Sequence, residues 1–511
     1  GIKRNLAISW LNHATGVLIG IFLMPYVLGV LGDETYGTWV LINSFLGYSC
    51  FLYLGFGETV ARFVARYHAR QQWDRLNQVV NLVLFAYVAM GLLALLIAAV
   101  VAWFVPSLRD WSPLAAGEIQ IVVLLMGLTL CLALSTTVFG GVLAGIQRFD
   151  IEQGFVLISG IARLVLTVWL LRREYGLLTL AAIFLVVTVV EHAGHVVFAF
   201  RCVPQLRIGW RHIDRGTARE FLSFSGFEFL KMVSNQVLEV TDTVIIGLLM
   251  GPAATVPYYL AMRMVRFIKT PIQLIGRVFM PRAGQLQALQ QHERLRQLFA
   301  LGTGGAFLLA TGVFVGATFF GQQLIRAWVG EGYDAAYVVL VILLGAQIVA
   351  APADVVRSLL FGAGLVRVPA LLNVAKAVAN IALSLILIRR FGIYGVAFGT
   401  LIPVVAIELT ALVPYALRRL QIGPRFVLTE LLAPQMLPLA TLFAYCKLLD
   451  AAGIVAPRWP DLLLTAGCGG GLLVCVRVVI DPRFLASERW QSVRRLLARS
   501  VPAGAARPPT P

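Results

Sequence analysis

The chain has 511 residues, of which 59% are hydrophobic and only 13% are charged. An ordinary soluble domain is about half apolar and about a quarter charged, so this composition excludes a water-soluble enzyme of this length. The net charge of +17 would suggest nucleic-acid binding in a soluble protein. In a membrane protein it is explained by basic residues that collect in cytoplasmic loops, so we expect no nucleic-acid partner.

Apolar segments long enough to cross a bilayer recur along nearly the whole chain. One helical crossing needs about 20 apolar residues, and backbone amides in lipid must be satisfied within a helix. The sequence therefore predicts an all-α, polytopic membrane protein with about 14 transmembrane helices. The predicted spans are 6–31, 37–57, 79–104, 119–144, 152–172, 176–200, 223–250, 254–280, 298–320, 336–362, 369–390, 394–418, 427–449 and 461–480. Four basic residues interrupt the eighth span.

Basic residues fall unevenly on the two sides of these spans. With the N-terminus inside, 25 of the 42 Lys and Arg residues lie on the cytoplasmic side and 7 on the outer side. This asymmetry predicts that both termini are cytoplasmic. The six cysteines form no Cys-x-x-Cys pair, so neither a disulfide framework nor a metal site is predicted.

Short loop motifs repeat at one offset of 219 residues. The matched pairs are Gly32 with Gly251, Gly145-x-x-Arg148 with Gly364-x-x-Arg367, and Tyr175-Gly176 with Tyr394-Gly395. The double arginines 172–173 and 389–390 also correspond, with a shift of two residues. One offset shared by three loops indicates an internal repeat of six spans. An even number of spans gives both copies the same orientation, so we predict two pseudo-symmetric six-helix lobes around a central cavity.

The repeat also predicts how the chain is divided. The predicted parts are 1–218, an N-terminal six-helix lobe with a cytoplasmic linker; 219–420, a C-terminal six-helix lobe; 421–482, two additional transmembrane helices; and 483–511, a basic and partly disordered cytoplasmic tail.

Charged residues inside the predicted spans are the strongest functional signal, because an isolated charge at the bilayer centre costs about 2.5–3.5 kcal/mol. In the eighth span, basic residues recur every three positions at Arg263, Arg266 and Lys269. Arginine forks bind phosphate oxygens bidentately, so we predict a cationic cavity that receives an anionic head group. The predicted head-group ligands are Arg263, Arg266, Lys269, Arg163, Arg357, Lys376, Asn12 and Lys231.

The seventh span carries a polar stripe on one helical face, because its polar residues are spaced three or four apart. The stripe comprises Glu228, Lys231, Asn235, Glu239 and Asp242. We predict that Glu239 and Asp242 couple transport to H+ or Na+.

Simple pairing within the membrane is the alternative to these roles. On that interpretation Arg263 or Arg266 pairs with Asp242 or Glu239, and Asp354 pairs with Arg357 on its own helix.

Other residue patterns predict no cofactor. His192 and His195 lie beside Glu191 without a third ligand at suitable spacing, so a polar contact between helices is favoured over zinc. None of the five lysines follows a glycine, which excludes a phosphate-binding loop of an ATPase.

Several motifs together resemble one family. They are the opening Arg4-Asn5 with a long first helix, LGVLGDETYGTWVLINSF from Leu28 to Phe45, LGFGETVARFVARY from Leu54 to Tyr67, and the Gly-x-x-Arg after the fourth span. With the arrangement of six, six and two spans, the chain resembles the polysaccharide flippases of the multidrug/oligosaccharidyl-lipid/polysaccharide exporter superfamily, the group that contains O-antigen flippases.

The resemblance implies a transporter and not an enzyme. Such a flippase turns a polyprenyl-pyrophosphate-linked oligosaccharide from the cytoplasmic to the outer leaflet of a bacterial inner membrane by alternating access. The expected partners are this lipid-linked substrate, membrane lipids and other polysaccharide-assembly proteins. The cationic central cavity of the family fits Arg263, Arg266 and Lys269 in this chain.

Three other functions remain as alternatives. A peptidoglycan-precursor flippase also has fourteen spans. A cation-coupled multidrug exporter would favour an acidic cavity, against which the excess of embedded cations argues. A membrane-embedded glycosyltransferase or polymerase needs large outer loops or a catalytic domain, and the outer connections here are short.

Overall fold

The structure, a computed structural model, describes residues 2–54, 56–108, 113–171, 176–209, 233, 236 and 239–480. The side chains of 2–14, 50, 58, 105–108, 113–115, 480 and several positions between 268 and 288, Arg277 among them, lie outside this description. The described residues form helices joined by short turns, and no strand occurs among them.

Fifteen helices follow one another along the described chain. They are α1 Ile2–Gly47, α2 Phe56–Ala69, α3 Trp73–Leu108, α4 Pro113–Gly145, α5 Phe149–Leu171, α6 Gly176–Cys202, α7 239–250, α8 Pro252–Ala288, α9 His292–Val329, α10 Asp334–Gly362, α11 Arg367–Ile407, α12 Val413–Arg419, α13 Pro424–Phe426, α14 Ala433–Ala451 and α15 Trp459–Ile480. A 3-10 turn, Tyr48–Tyr53, follows α1, and π-helical turns Glu408–Leu412 and Val427–Leu432 precede α12 and α14.

Ten helical segments of the described chain are long and apolar enough to cross a membrane. Two of them contain a glycine with non-helical backbone angles, Gly32 in α1 and Gly392 in α11, and each glycine divides its helix where two predicted spans meet. α8 is long enough but is not among the ten, and charged residues interrupt its apolar sequence. Divided at these two glycines, the ten segments give twelve spans among the described residues. The protein is therefore an all-α, multi-pass membrane protein, as the sequence predicts.

The surface of the helices suits lipid and not water. Trp103 is 80% exposed and Val479 is 76% exposed. Such a surface on a soluble protein would mark an interaction site or cause aggregation. In a bilayer these side chains simply contact lipid.

The internal repeat is visible in the backbone. The α2–α3 turn and the α8–α9 turn each place a glutamine in the left-handed region, Gln71 with φ 56° and Gln290 with φ 53°. The two turns also share three backbone hydrogen bonds at an offset of 219. In the first copy these run from Gln71 N to His68 O, from Gln72 N to Tyr67 O and from Leu76 N to Gln72 O. In the second copy they run from Gln290 N to Gln287 O, from Gln291 N to Leu286 O and from Leu295 N to Gln291 O. The two turns also have similar sequences, QQWDRL (71–76) and QQHERL (290–295). The prediction of the repeat from sequence did not include this pair of segments.

The turns at the two Gly-x-x-Arg motifs match with a different offset. Each helix ends in a six-to-one hydrogen bond of the Schellman type, from Arg148 N to Leu143 O in one copy and from Leu365 N to Leu360 O in the other. The residues with positive φ before these donors are Gln147 and Gly364. The two turns thus correspond at an offset of 217 residues, which is also the offset of the double arginines. The Gly-x-x-Arg motifs correspond at 219 residues, so the second motif lies two residues later in its turn than the first.

The described chain forms two compact units, each with its own core. The first comprises Lys3–Tyr259 with Ile388–Ile393, and the second comprises Leu260–Leu387 with the described part of Tyr394–Pro511. The core of the first unit surrounds the buried rings of Tyr67 and Tyr87, between α2, α3 and α4. The second unit has a core between α8, α9, α10 and α12, and a smaller cluster joins α9, α14 and α15.

Close packing with α1 places α7 and the start of α8 in the first unit. A Cβ on Gly37 would lie 2.1 Å from the carbonyl oxygen of Pro252, so only glycine permits this approach. Nearby, Gln236 Nε2 donates a hydrogen bond to Gly47 O at 2.8 Å. The division predicted after residue 218 falls outside the described residues and stays a prediction.

We expect Gly37→Ala to destabilise the first unit by about 1–3 kcal/mol, because the added methyl overlaps the Pro252 carbonyl. Gly29→Ala on the same helix is the matched control, since a Cβ there meets no atom within 4 Å. Thermal unfolding of both variants in detergent is the measurement. Equal unfolding temperatures for the two variants would contradict the packing described here.

Candidate functional site

The basic row of α8, defined as Arg263, Arg266 and Lys269, belongs to the second unit. Successive members are three residues apart, so the row extends about 9 Å along the helix axis. Arg266 is exposed, and the other two side chains are half-buried. The guanidinium of Arg263 lies 6.0 Å from the ring centre of Phe267, and its Nε has no hydrogen-bond partner among the described residues. That this row binds an anionic head group stays a prediction.

The first copy of the repeat has no equivalent of this row. At the offset of 219 the corresponding residues are Ser44, Gly47 and Cys50. Ser44 Oγ donates a hydrogen bond to Val40 O in its own helix, and Gly47 O accepts one from Gln236. The basic row is therefore present in the second copy of the repeat and absent from the first.

The carboxylates of α7 lie in the first unit. Asp242 is buried, and its Oδ2 accepts a hydrogen bond from the fully buried Tyr258 OH at 2.6 Å. Beside it, Thr241 Oγ1 and Tyr48 OH are 2.8 Å apart. Glu239, one turn earlier, is half-buried. The coupling role of Glu239 and Asp242 stays a prediction.

A cluster of four charged residues lies inside the second unit. Asp354 and Arg357 are one turn apart on α10 and form an ion pair, as the pairing alternative predicted. Glu408, the first residue of a π-helical turn, accepts a hydrogen bond from Arg357 and one from Lys376 Nζ of α11, the latter at 2.7 Å. Glu408 and Lys376 are 1% and 6% exposed. We call these four residues the buried ion cluster.

The buried ion cluster has no net charge when its members are ionised, because two carboxylates balance two cations. Such mutual compensation allows charge within a membrane span, and removal of one partner from a buried pair is strongly destabilising. The π-helical turn that presents Glu408 is a rare form that occurs frequently at functional sites. Arg357 and Lys376, predicted as head-group ligands, are therefore held by acids of the protein itself. Their role in substrate binding stays a prediction.

The remaining predicted ligands lie elsewhere. Arg163 of α5 lies in the first unit with its guanidinium 4.1 Å from the ring centre of Phe184, and Trp39 packs edge-on against the same ring. The side chain of Asn12 lies outside the described residues, as does Lys231.

The two histidines of α6 make polar contacts between helices, as the sequence predicts. His192 Nδ1 lies 2.7 Å from Thr136 Oγ1 of α4, and His195 Nε2 lies 3.4 Å from the backbone oxygen of Glu152 in α5. Within the described chain, no group of three His, Cys, Asp or Glu residues is placed to hold a metal ion.

Glu408 is the residue of this region to which the sequence analysis assigned no role. Its signal was available: Asp354, Arg357, Lys376 and Glu408 lie in three consecutive predicted spans and carry balanced charges. Embedded charges require partners, so a four-member cluster could have been predicted. That Glu408 pairs with both Arg357 and Lys376 is known only from the structure.

Comparison with known proteins agrees with this fold. The sequence model of a family described as "Polysaccharide biosynthesis protein" matches residues 2–287, more than half of the chain. A Shigella flexneri protein named "Putative O-antigen transporter" is 22% identical over 418 residues, which cover 79% of this chain and 95% of that protein.

Two solved structures share the architecture. The inward closed conformation of the lipid II flippase MurJ matches with a TM-score of 0.71 and 13% identity, over 95% of this chain and 99% of that chain. An inward-facing multidrug resistance transporter of the MATE family matches with a TM-score of 0.67 and 14% identity, over 80% of this chain and 94% of that chain.

The chain therefore has the fold of a membrane transporter. The chain belongs to the polysaccharide biosynthesis protein family.

We expect Glu408→Gln to destabilise the second unit by about 3–5 kcal/mol, since it leaves the buried Lys376 without its carboxylate and removes one partner of Arg357. Lys376→Met should cost less, because Glu408 keeps its pair with Arg357. The double variant should be more stable than Glu408→Gln alone. Unfolding in detergent measures all three, and a Glu408→Gln protein as stable as Lys376→Met would refute the cluster.

Proposed function

We propose that the protein is a flippase that moves a polyprenyl-pyrophosphate-linked oligosaccharide from the cytoplasmic to the outer leaflet of a bacterial inner membrane by alternating access. The observation that carries this proposal is the basic row of α8, which lies in the second copy of the repeat and in which Arg266 is exposed. Membership of the polysaccharide biosynthesis family supports the saccharide. The Shigella relative, named for O-antigen transport, supports a lipid-linked substrate.

The physical task of such a flippase is to carry a charged and hydrated head group past hydrocarbon. A polar group without partners in an apolar medium costs several kcal/mol, and a pyrophosphate carries several such groups. Guanidinium donors replace the lost hydration, because their forks match phosphate oxygens. The lipid tail needs no such help and can remain in the bilayer throughout.

The predicted head-group ligands do not contribute equally to this proposal. The row Arg263, Arg266 and Lys269 provides the first contact. Arg357 and Lys376 are held by Asp354 and Glu408, so an anion would reach them only by displacing a carboxylate. Arg163 would act from the first unit, and Asn12 and Lys231 complete the proposed set.

Energy coupling is proposed to involve Glu239 and Asp242 with H+ or Na+. Asp242 is buried and accepts a hydrogen bond from a hydroxyl at 2.6 Å. In a buried environment the gain of one positive charge has a larger electrostatic energy than it has in water. Both termini are proposed to be cytoplasmic, from the distribution of the basic residues. Other polysaccharide-assembly proteins are proposed as partners.

Two related transport functions are the competitors. A peptidoglycan-precursor flippase would use the same basic row, and likeness to the lipid II flippase at 13% identity shows the fold alone. A cation-coupled multidrug exporter would need acidic residues to face the substrate. The exposed cation of α8 favours an anionic substrate over a cationic drug.

Deletion of the gene followed by leaflet-resolved analysis of lipid-linked sugars tests the proposal. We expect a lipid-linked oligosaccharide to accumulate in the cytoplasmic leaflet. Accumulation of a peptidoglycan precursor would favour the first competitor. Unchanged lipids with altered drug tolerance would overturn the proposal in favour of export.

Charge reversal in the basic row should impair flipping specifically. We expect Arg266→Glu to lower flipping in proteoliposomes about 10- to 100-fold, since a charge-assisted hydrogen bond contributes about 1.5–3 kcal/mol and the new carboxylate repels the anion. Arg282→Glu is the control, an Arg on the same helix in a segment predicted to be cytoplasmic. Equal activity of both variants would contradict the role of Arg266.

A further inference from the structure

The first unit contains a large apolar cavity that the proposed function does not use. Its volume is about 1090 Å³, and its walls come from the second half of α1 with the following 3-10 turn, from α3, from α4, and from residues 247–252. All of these segments belong to the first unit. The basic row of α8 takes no part in the cavity wall.

The depth of the cavity matches one leaflet of a bilayer. On α3 its lining runs from Ala94 to Phe104, and on α4 from Ile119 to Leu130, which is about 15–17 Å along each helix. The predicted third span ends at residue 104 and the predicted fourth span begins at residue 119. On these predicted bounds the cavity starts at the membrane face where α3 and α4 connect and extends to about the middle of the roughly 30 Å hydrocarbon core.

The lining favours hydrocarbon over a charged head group. No described residue that lines the cavity carries a charge. Two of its polar side chains are already engaged, Thr38 with Glu34 O and Tyr48 with Thr241. Large apolar side chains such as Phe45, Leu248 and Met250 are 47%, 60% and 46% exposed.

Water, empty space and an acyl chain are the candidate contents of an apolar cavity of this size and depth. A buried water needs two to four polar partners, whereas this lining is predominantly apolar, and engineered apolar cavities stay dry and take up apolar molecules. An empty space forfeits the dispersion contacts of every lining atom. The neighbouring bilayer supplies acyl chains of matching length at very high concentration, so mass action favours their entry.

We propose that this cavity is a binding site for the acyl chain of a phospholipid from the leaflet at the α3–α4 connection. The site recognises the chain and leaves the head group at the membrane surface, because its walls are apolar and one leaflet deep. Under the predicted orientation this is the outer leaflet. The site is independent of the flippase proposal and would exist for any substrate.

Two neighbouring residues of α3 provide a matched pair of variants. Ile97 lines the cavity and is 50% exposed, whereas Leu96 is 61% exposed and does not line it. Ile97→Trp fills the cavity, and Leu96→Trp adds the same side chain outside the cavity wall. Both residues are exposed, so both variants should fold, which thermal unfolding in detergent verifies.

The test uses nanodiscs of phosphatidylethanolamine and phosphatidylglycerol that contain a phospholipid with a photoactivatable diazirine in its acyl chain. After irradiation, mass spectrometry of peptides locates the adducts. We expect enrichment at Met126 and Met250 over Val165 and Trp169, which are exposed on α5 outside the cavity. Ile97→Trp should lower that enrichment at least about fivefold by occupying the space, and Leu96→Trp should leave it unchanged.

A second readout is the phospholipid that remains after delipidation in detergent, which should fall in Ile97→Trp and not in Leu96→Trp. A parallel reaction uses a polyprenyl phosphate with the same diazirine. Labelling of the cavity by the polyprenyl probe alone would overturn the proposal in favour of a substrate tail. Adducts spread evenly over the lipid-facing surface, or equal labelling in both variants, would show that no acyl-chain site exists.

Discussion

Hydrocarbon solvates no charge, and this constraint organises the whole molecule. Each ionised side chain in a span must be compensated by the protein or kept in contact with water or substrate. In the buried ion cluster the protein itself compensates the charges, because Glu408 pairs with both Arg357 and Lys376. The basic row of α8 is different, because Arg266 is exposed. The difference between these two groups of cations separates a structural role from a proposed functional one.

A repeated backbone with unequal side chains is the second feature. The hydrogen bonds of the turns at Gln71 and Gln290 coincide at one offset, which indicates two copies of one fold. Yet the positions of the α8 cations are occupied by Ser44, Gly47 and Cys50 in the first copy. The matched turns indicate one framework in two copies, and the basic row to which we assign head-group binding is present in only one of them.

Much of the fold could be predicted, because span length and hydrophobicity are properties of local sequence. The predicted connections near Gly32 and Gly392 coincide with non-helical glycines, since positive φ is cheapest without a Cβ. The pairing of Asp354 with Arg357 was predictable from their spacing within one helix. The partners of Lys376 and Arg163 could not be predicted, because Glu408 contacts Lys376 from beyond the kink at Gly392 and Phe184 contacts Arg163 from another helix. Such packing is not encoded in the local sequence pattern. The apolar cavity likewise follows only from packing.

We propose that the basic row of α8 receives an anionic lipid head group. The most direct measurement is the affinity of the purified protein for a polyprenyl pyrophosphate compared with the uncharged polyprenol of the same chain length. Two charge-assisted hydrogen bonds at about 1.5–3 kcal/mol each predict a preference of at least about 100-fold for the pyrophosphate. This preference should weaken as salt screens exposed charge. Equal affinity for the two lipids would show that the protein recognises the chain alone and would contradict the claim.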